Sequence, residues 1–115
     1  MIKKVEGEMN GTKEMSKKHF IDSSILSEYL EKNIPEFSGP LMIEEFIGGQ
    51  SNPTYLLKTE NSSYVLRRKP PGVLLKTAHA VDREFEVISA LNKTNVPVPK
   101  AYIHREDESL IGTEF

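Results

Sequence analysis

The sequence of 115 residues contains no cysteine, which excludes disulfides and thiolate metal sites. No charge of one sign dominates. Fifteen Lys and Arg stand against 17 Asp and Glu, and the net charge of −2 gives no global attraction to nucleic acid or to anionic lipid. No apolar run approaches the roughly 20 residues that a membrane-spanning helix needs. No apolar N-terminal stretch of the secretory kind is present either. These absences make a cytoplasmic protein with no membrane or nucleic-acid partner the expectation. Internal repeats and low-complexity tracts are also missing. The three histidines, His19, His79 and His104, have no metal-site spacing. What remains is 28% charged and 37% hydrophobic, the balance of a globular chain, and its length suits one domain.

The first stretch, MIKKVEGEMNGTKEMSKK (1–18), mixes Lys and Glu with Gly7 and Gly11 and has no hydrophobic period. It reads as a disordered leader, which leaves 19–115 as the folding unit. SSILSEYLEKN then reads as a short helix. Asp22 or Ser23 can cap it, Leu26, Tyr29 and Leu30 share a face, and Pro35 stops it. Three strands follow: LMIEEFI (41–47), TYLLKTE (54–60) and SYVLRR (63–68), the last ended by Pro70 and Pro71. A helix is expected over about 79–91, where Val81, Phe85, Ile88 and Leu91 form one apolar stripe and Asn92 is a stop. KAYIHR and SLIGTEF read as a second hairpin around Glu106, Asp107 and Glu108. The order implies an α+β layer: a five-stranded antiparallel sheet, one packed helix and an N-terminal helix.

The stretch GGQSNPTYLL (48–57) places six small, polar or rigid residues between two strands, where a plain hairpin needs two. Such a stretch is either a long turn or a loop whose backbone approaches a ligand. The strand at 63–68 narrows the choice. Successive side chains point to opposite faces, so Val65 and Arg67 share one face and Tyr64, Leu66 and Arg68 the other. A glycine-rich loop, a cation on the third strand and an acidic residue, Glu84, on the next helix follow the order found in protein kinases. There the loop covers ATP phosphates, the cation contacts them and the glutamate orients the cation.

FIGGQSNPTYLL, YVLRRKPPG, AHAVDREFEVISAL, VPVPKAY and IGTEF together resemble the N-terminal lobe of the aminoglycoside phosphotransferase family, which has the protein-kinase-like fold. More narrowly, they are similar to the kinase-like domain at the N-terminus of some acyl-CoA dehydrogenase family members and to its free-standing bacterial relatives. The resemblance covers about 41–115. It implies that Gly48, Gly49, Gln50, Ser51 and Asn52 form the nucleotide loop. It implies further that Val65 faces adenine, that Arg67 contacts phosphate and that Glu84 pairs with Arg67. Two departures stand out: the loop is not G-x-G-x-x-G, and the cation is Arg where kinases have Lys. A register slip of one or two residues would make Arg68 or Lys69 the working cation.

The resemblance further implies ATP with Mg2+ as phosphoryl donor, a small-molecule hydroxyl as acceptor, of the hydroxyacyl-CoA type before an aminoglycoside, and a C-terminal lobe, absent from this chain, that carries the catalytic and metal-binding residues. None of the 115 residues is therefore assigned a catalytic role. A lobe without its partner exposes an apolar face, so self-association is expected. The alternative reading is a non-catalytic binding module or a truncated remnant.

Overall fold

A computed structural model describes residues 1–6, 11–16, 20–47, 53–69, 80–105, 107–113 and 115. Its centre is the run of strands that the alternating pattern marks out. Strands β3 (Met42–Phe46), β4 (Thr54–Lys58) and β5 (Ser63–Arg67) are joined as consecutive antiparallel neighbours. The β4–β5 register pairs Tyr55 with Leu66 and Leu57 with Tyr64, so these four stack on one face. Leu56 and Val65 pair on the other. The turn between them closes on itself: the Thr59 N–H donates to the Ser62 carbonyl at 2.9 Å, and the Ser62 N–H donates to Thr59 Oγ1 at 3.0 Å.

Helix α1 (Ser23–Asn33) covers the first face. The Asp22 carboxylate accepts from the N–H groups of Ser24 and Ile25, at 2.9 and 3.3 Å, and so satisfies donors the helix leaves open. Leu26 and Leu30 are fully buried against Tyr55, Leu57, Tyr64 and Leu66. Helix α2 (Ala80–Asn92) comes to the opposite face. Its Val81 and Ile88 are buried, while Phe85 and Leu91 are only partly so. Asn92 ends the helix and brackets the next segment: its Nδ2 donates to the Pro99 carbonyl, and its Oδ1 accepts from the Ala101 N–H.

Among the described residues the sheet has six antiparallel strands where five are expected from the sequence, two gained and one lost, in the order β2 (Thr12–Lys13), β3, β4, β5, β1 (Ile2–Val5), β6 (Ala101–Ile103). Both gained strands come from the stretch read as a disordered leader. Strand β2 (Thr12–Lys13) pairs with the edge of β3. Strand β1 (Ile2–Val5) inserts between β5 and β6 (Ala101–Ile103), antiparallel to both. The pattern hides β1 because its apolar ends serve opposite faces. Ile2 enters the α1 core and Val5 joins Leu56 and Val65, so no period-2 stripe is visible over four residues.

The expected second hairpin forms only one arm. Ala101–Ile103 is a strand, but 109–113 turns instead of extending. Gly112 adopts φ +88°, a left-handed conformation that interrupts an extended run, and its N–H donates to the Glu108 carbonyl at 2.9 Å. Arg105 and Phe115 then exchange backbone hydrogen bonds of 2.6 and 3.0 Å and close the loop. No helix among the described residues is long and apolar enough to cross a membrane.

Candidate functional site

The face of the sheet opposite α1 carries a cavity of about 400 Å³. Its apolar wall is Val5, Phe46, Ile47 and Val65, and its charged wall is Lys3 and Arg67. Strand pairing explains the juxtaposition. Lys3 lies directly across from Val65, and Arg67 is two residues along β5, so all three side chains leave the sheet on the same side. Ile47 and Thr54, which flank the Gly-rich stretch, both line the cavity. Gly48, Gly49, Gln50, Ser51 and Asn52 themselves lie outside the described residues.

Glu84, on the second turn of α2, reaches this wall. Its Oε1 accepts from Arg67 Nη1 at 2.9 Å and its Oε2 from Lys3 Nζ at 2.9 Å. One carboxylate thus holds two cations, one oxygen to each. The side chains of Lys3 and Glu84 are each 19% exposed and that of Arg67 32%, so the group is partly shielded from water and screening weakens it less than a surface pair.

The neighbouring cations go elsewhere. Arg68 leaves the strand on the α1 side and is buried. Its Nε donates to Thr113 Oγ1 and its Nη2 to the Ile111 carbonyl, both at 2.8 Å, while its guanidinium lies 5.9 Å from the Tyr55 ring centre. Lys69 pairs with Asp82 at 3.1 Å. Asp82 also meets His104 Nε2 at 2.8 Å, and the His104 ring packs on Phe85. Burial pushes the Asp82 carboxyl up, but hydrogen bonds and charge from Lys69 and His104 outweigh it and hold the group below the usual carboxylate range. Of the three adjacent cations, Arg67 is the one that lines the cavity.

The sequence model of the phosphotransferase enzyme family matches residues 43–115 of the chain, a span that begins within β3 and takes in β4, β5, α2 and β6. The chain belongs to this family. It is 43% identical over 109 residues to acyl-CoA dehydrogenase family member 11 of Gallus gallus, a match that takes in 91% of this chain and 14% of that protein. It is 44% identical over 105 residues to the probable acyl-CoA dehydrogenase IBR3 of Arabidopsis thaliana, covering 84% of this chain and 13% of the relative. Among solved structures, one from Ralstonia eutropha JMP134, provisionally assigned as an aminoglycoside phosphotransferase, superposes with a TM-score of 0.68 at 41% identity. That match covers 83% of this chain and 26% of the other. The chain therefore spans about one-seventh of the length of the curated relatives it matches.

In this member of the phosphotransferase family the structure places Val65 and Arg67 on the cavity wall, and Glu84, from an element separated in sequence, holds Arg67 there. Lys3 and Val5 complete that wall and have no counterpart in the sequence reading. Only pairing partners could have revealed them, because a four-residue strand carries too little pattern. Among the described residues, no group of three acidic or histidine side chains could hold a metal ion.

Proposed function

We propose that this chain is the nucleotide-covering part of an ATP-dependent phosphotransferase that acts on a small-molecule hydroxyl. The observation that carries the reading is the Arg67–Glu84 pair at the charged wall of a largely apolar cavity. Its volume of about 400 Å³ falls within the range of roughly 300–1,000 Å³ common to small-molecule sites. Val5, Phe46 and Val65 offer a dry surface to a flat base. Arg67 offers donors to phosphate oxygens: a guanidinium has five N–H groups, and the contact with Glu84 engages one nitrogen. Glu84 fixes the direction of that guanidinium, so its orientation is set before a ligand arrives. Phosphoryl transfer depends on such positioning and on electrostatics more than on covalent chemistry by the protein.

In this reading Mg2+ accompanies ATP and is held by the phosphates and by residues beyond this chain. The relatives named as acyl-CoA dehydrogenases support an acceptor of the hydroxyacyl-CoA type, and the solved structure assigned as an aminoglycoside phosphotransferase supports the alternative, an aminoglycoside hydroxyl. Titration with Mg-ADP, followed by amide NMR, tests the proposal. Shifts at Val65 and Arg67 are expected, together with no phosphate transfer by residues 1–115 alone. An unchanged spectrum at millimolar ligand would sink the nucleotide reading, and turnover by the chain would sink its division of labour.

A further inference from the structure

We infer that Lys3, on the N-terminal strand β1, is a second phosphate-binding cation of this cavity. The inference rests on the nucleotide reading above and extends it to a segment outside the span matched by the family. Lys3 reaches the cavity wall because β1 is paired to β5 with Lys3 opposite Val65, and its Nζ shares the Glu84 carboxylate with Arg67. One acid against two cations leaves one net positive charge on this wall. Asp82 does not offset it, since that carboxylate is engaged by Lys69 and His104. A single strand cation held by one carboxylate would form a neutral pair. Two cations on one carboxylate form an anion site whose cations are already oriented. An ammonium has three donors, and the Glu84 contact uses one, so Lys3 can turn the others toward a phosphate oxygen without leaving the carboxylate. The ligand class is a nucleoside di- or triphosphate, its base on Val5 and Val65 and its terminal phosphates between Lys3 and Arg67.

The test titrates three probes into the chain: ADP, inorganic pyrophosphate and adenosine. They are measured on the wild type and on the variants Lys3→Met, Lys3→Arg and Lys4→Met. Lys4 sits on the same strand but faces away from this wall, so it controls for bulk charge. Lys3→Met is expected to weaken ADP and pyrophosphate about tenfold, equal to about 1.4 kcal/mol, and to leave adenosine unchanged. Lys3→Arg is expected to retain most of the anion affinity, and Lys4→Met all of it. Should Lys3→Met fail to fold, the ammonium 15N resonance of Lys3 in the wild type replaces it, and a shift on adding pyrophosphate is expected. Equal ADP affinity in wild type and Lys3→Met, or an unmoved Lys3 resonance, overturns the inference and leaves the nucleotide reading standing. Lys3-dependent pyrophosphate binding with no gain from adenosine overturns the nucleotide reading and leaves the anion site standing. A wild type that binds none of the three overturns both.

Discussion

Strand β1 is the feature least visible in the sequence, and Ile2→Ala tests it most directly. Ile2 is fully buried, and it packs in the same cluster as Leu26, Leu30, Tyr64 and Leu66. Truncating a buried isoleucine to alanine costs about 2–5 kcal/mol, the sum of lost transfer energy and a cavity that collapses only in part. Whole domains are stable by about 5–15 kcal/mol, so the loss is a large fraction of the total. For a chain of this size each kcal/mol lowers Tm by about 4–8 °C, which puts the expected fall at about 10 °C or more. Urea unfolding should show a lower midpoint at unchanged slope. Lys4→Ala, a partly exposed neighbour, should stay within about 0.5 kcal/mol of the wild type. Hydrogen exchange gives an independent check, because the Lys4 N–H donates to the Lys100 carbonyl at 2.8 Å and should be protected. If Ile2→Ala is as stable as the wild type and the Lys4 amide exchanges at the rate of an unfolded chain, residues 2–5 are a leader and the argument for a strand fails.

Three further outcomes are expected. A double-mutant cycle with Glu84→Gln and Arg67→Met should give a coupling energy of about 1 kcal/mol, above a typical exposed pair but discounted because Arg67 is nearly one-third exposed; zero coupling would mean that the pair does not form in solution. Asp22→Ala removes the acceptor for two N–H groups of α1 and should cost about 1 kcal/mol in denaturant unfolding, whereas Asp22→Asn should cost less; equal costs would place the cap elsewhere. Asp82 titrates in the folded state below its ordinary value, so its contribution is complete above that ordinary value and is lost as the pH falls through the folded one. Asp82→Asn should therefore be less stable than the wild type at neutral pH, with the difference closing in strong acid, and a difference constant from pH 7 to 2 would contradict the ion pair with Lys69 and the hydrogen bond with His104.

The legible parts of the fold are those whose signals are local. TYLLK and SYVLR are rich in β-formers, and the turn chemistry between them is explicit. Helix α1 has a capping Asp22 and a following Pro35, and α2 has its stripe and Asn92. The parts that were not legible depend on partners distant in sequence. Strand β1 exists because β5 and β6 each offer it a ladder, and IKKV alone has no reason to extend. The missing arm after β6 is lost to Gly112 and to the two contacts that Arg68 makes with Ile111 and Thr113. Nothing near SLIGTEF announces an arginine 43 residues upstream.

The same distinction governs the site. Parity along β5 separates Arg67 from Arg68, but parity does not say which face is the cavity. The decision belongs to α1. Its Leu26 and Leu30 need a broad apolar partner, and Tyr64 with Leu66 is the larger apolar pair on β5, so that face becomes the core. Arg68 follows Tyr64 and Leu66 by the pleat, into a place where only backbone and hydroxyl acceptors receive it among the described contacts. Arg67 follows Val65 to the thinner apolar cluster, which leaves room for a cavity and for the approach of Glu84. Two adjacent arginines thus acquire opposite roles from one packing choice. A slip of β5 by one residue would exchange them, placing Arg67 in the core and Arg68 beside Glu84. The hydrophobic demand of α1 therefore fixes the candidate site as firmly as the ion pair itself, although α1 touches neither Arg67 nor Glu84 in any hydrogen bond or ion pair among the described residues.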